Sequence, residues 1–108
     1  MNWTVTYYNE RVKRDVFALP SGVLADYLRL LDLMHEFGAN LCMPHSRAMG
    51  EGLFELRPKG REGCGRVFYC THAGHQVVVL HSFVKKTQET PPRELRTARK
   101  RMKEVCND

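Results

Sequence analysis

Five side chains in the second half of the chain have the types and spacing of a phosphate-binding site: Arg57, Arg66, His81, Lys85 and Lys86. Each lies in or beside a segment that is predicted to be a β-strand, and residues two apart on a strand share a face. One sheet face can therefore collect several of these side chains. Arginine and lysine bind phosphates and can stabilise the extra negative charge of a phosphodiester transition state. The pattern predicts a polar cleft where the last strand ends.

Such a cleft can support cleavage of RNA as well as binding. The ribose 2′-hydroxyl can act as the nucleophile, so the site needs only an acceptor for its proton and a donor for the 5′-oxygen, without a metal ion. Histidine titrates near neutral pH when unperturbed, which makes His81 the first candidate for proton transfer. A lysine whose pKa is lowered by neighbouring cations is the second candidate.

Further RNA contacts are expected around this cluster. An aromatic ring on the same strand as Arg66 can stack on an unpaired base. Basic side chains of the preceding loop and of the last predicted helix can contact the phosphate backbone. The candidate RNA-binding residues are Lys59, Arg61, Phe68, Tyr69, Arg96 and Lys100.

Each assignment has a structural alternative. Arg66 can pair with a carboxylate such as Glu55, and Arg57 can likewise serve only in a salt bridge. His81 can be a hydrogen-bonded structural histidine. The two lysines can be a solvated strand end. Because adjacent strand residues face opposite ways, only one of these lysines is expected to be essential.

Charge is unevenly distributed along the 108 residues. The formal net charge is +5, and the isoelectric point is near 9.2. Residues 1–56 carry five basic and seven acidic side chains, whereas residues 57–86 carry six basic side chains and one acidic one. This asymmetry favours a polyanionic partner, either a nucleic acid or an acidic protein. The alternative is charge that serves only solubility.

The composition is that of a single globular domain spanning residues 1–108. Hydrophobic residues make up 43% of the chain and charged residues 27%. No apolar run approaches the ~20 residues of a membrane-spanning helix, and no signal peptide is visible at the N-terminus. We therefore expect a cytoplasmic location, no membrane association and four reduced cysteines.

Other common catalytic motifs do not explain the chain better. It has no carboxylate pair for glycoside hydrolysis, no G-x-S-x-G motif and no Walker loop. Sulfur and imidazole ligands for zinc occur in two segments, with Cys64 nearby. The segments are Cys42-x2-His45 and Cys70-x-His72-x2-His75. Only the first has a recognisable zinc spacing, so neither a metal nor another cofactor is expected.

The first half of the chain is predicted to contain one strand and two helices. The segment "WTVTYY" (3–8) is rich in β-branched and aromatic residues, as strands are. Asn9 can cap a helix that ends at Pro20, and Ser21 can cap a second helix that ends at Gly38. The expected apolar faces are Val12, Val16 and Leu19 in the first helix, and Leu24, Tyr27, Leu28, Leu31 and Met34 in the second.

The second half is predicted to contain three strands and a final helix. The strands are "GLFELR" (52–57), "GRVFYCTH" (65–72) and "HQVVVLHSF" (75–83). Residues 39–52 and the glycine-rich 57–65 are predicted loops, and 73–76 is a predicted hairpin turn. Thr90 can cap the last helix, with Pro91 at its first position. The order β-α-α-β-β-β-α predicts an α+β fold, with helices on one face of a mainly antiparallel sheet.

Four segments resemble the phage-derived Gp49-like branch of the RelE/HigB toxin superfamily. They are "GLFELR" (52–57), "GRVFY" (65–69), "VVVLHSFVKKTQETPP" (77–92) and "ELRTARKR" (94–101). The resemblance implies a RelE-like fold, with an N-terminal helical hairpin packed on a mainly antiparallel sheet and a C-terminal helix. It also implies the toxin of a type II toxin–antitoxin system. Such a toxin is a ribosome-dependent, metal-independent mRNA endonuclease (mRNA interferase) that inhibits translation.

The resemblance also implies residue roles and partners. The matching positions are Arg66 for the central catalytic arginine, Arg57 for the arginine of the ELR motif, and Lys85 and Lys86 for the basic pair. Related toxins often carry a catalytic tyrosine or histidine near the C-terminus. The tail "KEVCND" (103–108) has neither, so His81 or a lysine would have to act instead. The implied partners are a helix-turn-helix antitoxin of the HigA type, mRNA on the ribosome, and ribosomal RNA. The alternative is a non-catalytic RelE-fold protein that binds nucleic acid or a helix-turn-helix partner.

Overall fold

Three helices and six strands occupy the described part of a computed structural model, which comprises residues 3–85 and 89–106. The strands are β1 (Thr4–Tyr7), β2 (Ser46–Gly50), β3 (Leu53–Leu56), β4 (Lys59–Gly60), β5 (Gly63–His72) and β6 (Gln76–Lys85). The helices are α1 (Glu10–Phe17), α2 (Ser21–Phe37) and α3 (Pro92–Cys106). The predicted α+β class is confirmed, and β3, β5 and β6 lie where the three strands of the second half were predicted.

All six strands belong to one mixed sheet. The order is β1-β6-β5-β3-β2, and the two-residue β4 pairs with β5 outside this path. β1 runs parallel to β6, and the other pairings among the described strands are antiparallel. The short connections account for the antiparallel pairs, because only a long crossover can make two strands parallel.

One face of the sheet is covered by α1 and α2. Asn9 caps α1 as predicted, since its Oδ1 accepts a hydrogen bond from the Val12 backbone N–H at 2.8 Å. The predicted apolar face of α1, which includes Val16 and Leu19, is buried. Both helices share one core with the sheet residues Leu56, Val67, Tyr69, Val77 and Val79. The pairing of α1 and α2 as a hairpin stays a prediction.

The apolar face of α2 is rotated from the predicted one. Its buried residues are Val23, Tyr27, Leu30 and Met34. Leu28, which was predicted to be buried, is 40% exposed. Leucines lie around much of this helix, so their spacing alone does not determine which stripe meets the core.

The C-terminal helix α3 lies on the opposite face of the sheet, which corrects the expectation that all helices share one face. Ala98 of α3 is fully buried there. Its sheet neighbours are Leu53, Phe68, Cys70, Val78 and Leu80. The face that was expected to be open is therefore covered along part of its strands.

Two segments that were predicted to be loops contain strands. Residues 46–50 form β2, which pairs with β3, and residues 59–60 form β4, which pairs with β5. Both strands are short and contain glycine, alanine or charged residues, which have weak β-propensity. Sequence patterns therefore do not distinguish them from a loop.

The start of α3 also differs from the prediction. The Pro91 carbonyl oxygen accepts the first hydrogen bonds of the helix, from the N–H groups of Glu94 and Leu95 at 3.1 and 3.3 Å. This places Pro91 at the N-cap and Pro92 at the first helical position. The Thr90 hydroxyl instead donates to Glu55 at 3.0 Å.

A distant glutamate, rather than Ser21, caps the start of α2. Pro20 occupies the N-cap position and has no side-chain acceptor to offer. The Glu62 carboxylate, in the turn between β4 and β5, accepts hydrogen bonds at 3.2 Å from the Gly22 N–H and from the Ser21 hydroxyl. Hydrogen bonds from its own backbone N–H and from that of Gly22 lower the pKa of Glu62. The carboxylate form therefore attaches the β4–β5 turn to α2.

Replacing Glu62 with glutamine should reduce the acid sensitivity of the fold. The pKa of Glu62 is lower in the folded chain than its ordinary value of 4.5, so its stabilising contribution is present above pH 4.5 and is lost as the pH falls through the folded-state pKa. Denaturation experiments between about pH 3 and 7 should show that acid reduces the free energy of unfolding less for Glu62→Gln than for the wild type. Glu36→Gln, at an exposed position of α2, is the matched control. If acid reduced the free energy of unfolding equally in the wild type and in Glu62→Gln, the capping role of Glu62 would be contradicted.

Candidate phosphate-binding site

A β-bulge in β6 decides which side chains of that strand face α3. Phe68 pairs with His81 and Tyr69 pairs with Val79, so Leu80 is an extra residue in β6. Without it, His81 would share a face with Val79, which packs on the side of α1 and α2. The bulge instead places both Leu80 and His81 on the α3 side.

Beyond the bulge, the register places predicted cations together. Phe83 lies opposite Arg66, and Lys85 lies opposite Cys64. Directly opposed residues of an antiparallel pair project to the same side of the sheet. Arg66 and Lys85 therefore share a face, as expected from sequence, although it is the bulge that places Lys85 there. Lys86 lies outside the described residues.

A buried carboxylate lies at the centre of this face. Glu55 of β3 is fully buried, and three arginine side chains surround its Oε1. The distances from Oε1 are 3.4 Å to Arg57 Nη1, 3.5 Å to Arg47 Nη2 and 3.7 Å to Arg66 Nε. Its Oε2 accepts the hydrogen bond from Thr90. We call Arg47, Arg57 and Arg66 with Glu55 the arginine cluster. The predicted pairing of Arg66 with Glu55 is present, although a single carboxylate cannot neutralise three guanidinium groups.

Arg66 is the most deeply buried of the three arginines in the cluster, with 5% of its surface exposed. Its Nη1 donates to the Gly65 carbonyl oxygen at 2.7 Å. Its Nε is buried and has no hydrogen-bond partner among the described residues. Burial lowers the pKa of Arg66 first, and the positive charge of Arg57 lowers it further, whereas Glu55 raises it. An arginine still remains protonated at neutral pH, so Arg66 retains a charge that is incompletely paired.

Lys85 belongs electrostatically to the same cluster. Burial first, and then the charges of Arg66 and Arg57, lower the pKa of Lys85. Glu55 and Cys64 act in the opposite direction. The sequence argument that neighbouring cations lower the pKa of a lysine at this position therefore agrees with the structure.

A cleft of about 240 Å³ opens beside the arginine cluster. Arg57 and Arg66 contribute to both, so they join the cluster to the cleft. We call this space the basic cleft. Its lining residues are Asp26, Arg29, Met43, Pro44, His45, Arg57, Lys59, Cys64 and Arg66. Its four basic side chains and one carboxylate make it suited to an anion the size of a phosphate group.

His81 is engaged away from the basic cleft. Its Nε2 lies 2.6 Å from Glu94 Oε1, and its Nδ1 lies 3.5 Å from Arg101 Nη1. The imidazole therefore connects β6 to α3. This geometry supports the structural alternative for His81, because both ring nitrogens already face partners on α3.

Neither aromatic candidate is placed to stack on a base. Phe68 and Tyr69 are both fully buried. Phe68 lies beneath α3, and Tyr69 lies on the opposite face, where its hydroxyl donates to the Ala39 carbonyl oxygen. The stacking prediction is therefore wrong for both residues. Large apolar rings in a central strand stabilise the core by their burial, and this use excludes an exposed ring face.

The remaining RNA-binding candidates lie in two places. Lys59 lines the basic cleft, and Arg61 is exposed in the turn that follows β4. Arg96 and Lys100 are exposed on α3. With Glu51, Arg99, Met102 and Lys103 they line a separate, shallower depression. The structure thus divides the predicted contacts between the cleft and a basic surface of α3.

Sequence reasoning missed two residues of the site. Arg47 belongs to the arginine cluster, and His45 lines the basic cleft. Both fall in residues 39–52, which were predicted to be a loop. A usable signal was present, because Gly50-Glu51-Gly52 is a turn sequence that separates residues 46–50 from the strand beginning at Leu53. Reading it as a hairpin would have placed Arg47 on the same face as Glu55, with which it pairs.

The zinc hypothesis finds no support in the described ranges. No three histidine, cysteine or acidic side chains within residues 3–85 and 89–106 are grouped so that they could hold a metal ion. The four cysteines are free thiols, and burial raises the pKa of Cys70 to about 12. None of the three helices described has both the length and the apolar character needed to span a membrane.

Comparison with known families adds to this geometry. The model of the phage-derived Gp49-like protein family matches residues 14–103. The chain belongs to the Gp49-like family. No curated protein sequence matches the chain significantly. The family match confirms the resemblance noted from the four sequence segments. This family is associated with the RelE-like toxin superfamily. The matched residues include the whole arginine cluster and the lining of the basic cleft.

The arginine cluster predicts an unusual pattern of stabilities. Glu55→Leu should lower the free energy of unfolding by about 3 kcal/mol, because it leaves the buried Arg66 without a counter-charge. The double substitution Glu55→Leu with Arg66→Met should recover most of this loss, because it replaces the buried pair with apolar groups of similar size. Urea denaturation of the two single variants and the double variant measures both effects.

The exposed Asp32 of α2 provides a control. The corresponding substitution Asp32→Leu should cost much less, since exposed charges contribute only about 0–1 kcal/mol. Equal costs for Glu55→Leu and Asp32→Leu would show that Glu55 is not the main counter-charge of the arginine cluster.

Proposed function

We propose that this Gp49-like protein is the toxin of a type II toxin–antitoxin pair that cleaves mRNA on the ribosome without a metal ion and so inhibits translation. The observation that carries this proposal is the meeting of Arg57 and Arg66 at one buried carboxylate, with Lys85 on the same face of the sheet and a cleft of phosphate size beside them. Membership of a family associated with RelE-like toxins supports the same conclusion.

The charge balance of the site favours a polyanionic substrate. Arg47, Arg57, Arg66 and Lys85 carry four positive charges, and Glu55 supplies one negative charge among them. A bound phosphodiester adds negative charge where the site has an excess of positive charge. A phosphorane-like transition state adds one more negative charge, so the cations bind it more strongly than the ground state.

The residue roles follow from these positions. Arg66 supplies a rigid, partly desolvated guanidinium that stabilises the phosphate charge in the transition state. Arg57 is 23% exposed and orients the phosphate at the mouth of the cleft. Lys85 neutralises charge and is available for proton transfer. The RNA 2′-hydroxyl is the nucleophile, so no metal-bound water is needed.

The surroundings of the site fit a partner larger than one phosphate. The basic surface of α3 extends cationic character beyond the cleft, as contact with ribosomal RNA requires. The proposed partners are the mRNA on the ribosome, ribosomal RNA, and a cognate helix-turn-helix antitoxin of the HigA type. The proposed compartment is the cytoplasm, where mRNA is translated.

A second candidate function is binding without cleavage. It is favoured by the placement of Arg66, whose guanidinium is nearly fully buried and whose Nη1 already bonds to Gly65. A strictly structural Arg66 would leave only a basic surface for nucleic acid or for a helix-turn-helix partner. The two functions differ in whether new RNA ends appear.

Primer extension on a translated mRNA distinguishes the two functions. Expression of the wild type should arrest growth and produce new 5′ ends within coding sequence in minutes. Arg66→Met should reduce the cleavage rate at least about 100-fold, because it removes one charge donor to the transition state. Arg14→Met, at an exposed position of α1 on the other side of the sheet, is the control and should cleave like the wild type.

Two outcomes would count against the nuclease. Ribosome association without new 5′ ends would favour the binding function. Equal cleavage by Arg66→Met and wild type, at equal levels of folded protein, would remove Arg66 from the mechanism.

A further inference from the structure

The basic cleft contains a histidine that the roles above do not use. The sequence has five histidines, and within the described ranges His45 is the one that lines this cleft. It directly precedes β2 and is half-buried. Its carbonyl oxygen accepts a hydrogen bond from the Arg57 N–H at 2.9 Å. This bond fixes the backbone of His45 beside that of a proposed phosphate-binding arginine.

The other histidines lie away from the cleft. His81 faces Glu94 and Arg101 of α3. His35 and His75 both contact Trp3: His35 Nδ1 lies 2.8 Å from the Trp3 carbonyl oxygen, and the His75 ring centroid lies 4.7 Å from that of Trp3. The remaining one, His72, ends β5, roughly 20 Å along the strand from Arg66. The position of His45 therefore sets it apart as an imidazole within reach of a phosphodiester held in the cleft.

We propose that His45 is the general base of RNA cleavage and accepts the proton of the attacking 2′-hydroxyl; this inference rests on the nuclease function proposed above. The 2′-oxygen forms a bond to phosphorus, and the bond from phosphorus to the 5′-oxygen breaks. The 2′-hydroxyl proton moves to the His45 imidazole, and the leaving 5′-oxygen takes a proton from the Lys85 ammonium. The products are a 2′,3′-cyclic phosphate and a 5′-hydroxyl end.

The chemistry of the cleft supports this assignment. For proton transfer, an imidazole must lie near the phosphate and remain accessible to it. His45 meets this condition, because it lines the cleft and is half-buried. His81, the candidate predicted from sequence, already faces an acid and an arginine. Lys85 suits the opposite role, because it lies opposite Cys64 of the cleft lining. Burial and the neighbouring arginines also lower the pKa of Lys85, which makes its ammonium a better proton donor.

Several other groups face the cleft and affect its pH dependence. These groups are Asp26 and Arg29 of α2, Arg57 just after β3, Lys59 of β4, and Cys64 and Arg66 of β5. Because more than one of these groups can titrate, a rate profile of the wild type alone does not identify His45. A comparison with a variant that lacks only this imidazole does.

Single-turnover cleavage of mRNA on purified ribosomes tests the assignment. The proteins are the wild type, His45→Gln and the control His72→Gln, assayed between about pH 6 and 8. Glutamine retains hydrogen-bonding capacity but cannot carry the proton. His45→Gln should cleave at least about 100-fold more slowly and should lose the acidic limb of the rate profile, whereas His72→Gln should keep both the rate and the limb.

Chemical rescue separates a catalytic role from a structural one. His45→Ala should be as slow as His45→Gln, and added imidazole should restore part of its cleavage rate. Slow variants that still bind ribosomes but do not respond to imidazole would overturn the assignment, as would His45→Gln that cleaves within about threefold of the wild type. If the wild type itself does not cleave, the nuclease function fails and this role fails with it. Wild-type cleavage with fully active His45 variants overturns only the role of His45.

Discussion

The arrangement of the site depends on one interaction, the contact of the buried Glu55 carboxylate with three guanidinium groups. The carboxylate comes from β3, and its partners come from β2, from the end of β3 and from β5, so a single anion determines the relative positions of three adjacent segments. A buried carboxylate without cations would be costly, and three arginines without a carboxylate would repel one another. The cluster therefore forms only when all of these strands are in register. Its hydrogen bond to Thr90 connects it to the start of α3.

Much of the fold could be predicted because strands and helices impose simple periods on side chains. The alternation in residues 52–57 and 65–72 correctly separated Glu55 and Arg66 from the residues that pack under α1 and α2. The Asn9 cap and the buried face of α1 followed from local chemistry that does not depend on distant residues. The shared face of Arg66 and Lys85 depends instead on the bulge in β6, because an uninterrupted strand would place Lys85 on the same side as Val79.

What could not be predicted depends on contacts between residues far apart in the chain. The bulge at Leu80 reverses the face on which His81 lies, and no residue type in β6 indicates it. Nothing in the composition of α3 shows which side of the sheet it covers, although that choice buries Phe68 and removes it from the RNA-binding candidates. Glu62 caps α2 across 40 residues of sequence, as its bond to Gly22 shows. Each error arose where tertiary packing, rather than local pattern, determined the result.

The placement of α3 explains how one sheet face can hold both part of the core and the proposed phosphate-binding site. Within β5, Phe68 is buried beneath α3, whereas Arg66, two residues earlier on the same face, reaches the cleft. The apolar face of a helix packed beside a charged cluster reduces the water around the cluster, and electrostatic attraction to a bound anion is stronger when less water screens it. The same effect strengthens repulsion between the cluster's cations while no anion is bound. The unbound protein thus retains an unfavourable excess of positive charge at this site, which an anion such as the proposed phosphodiester substrate would relieve. Because this relief would occur only on binding, a fully neutralised cluster would be more stable but would bind an anion less well.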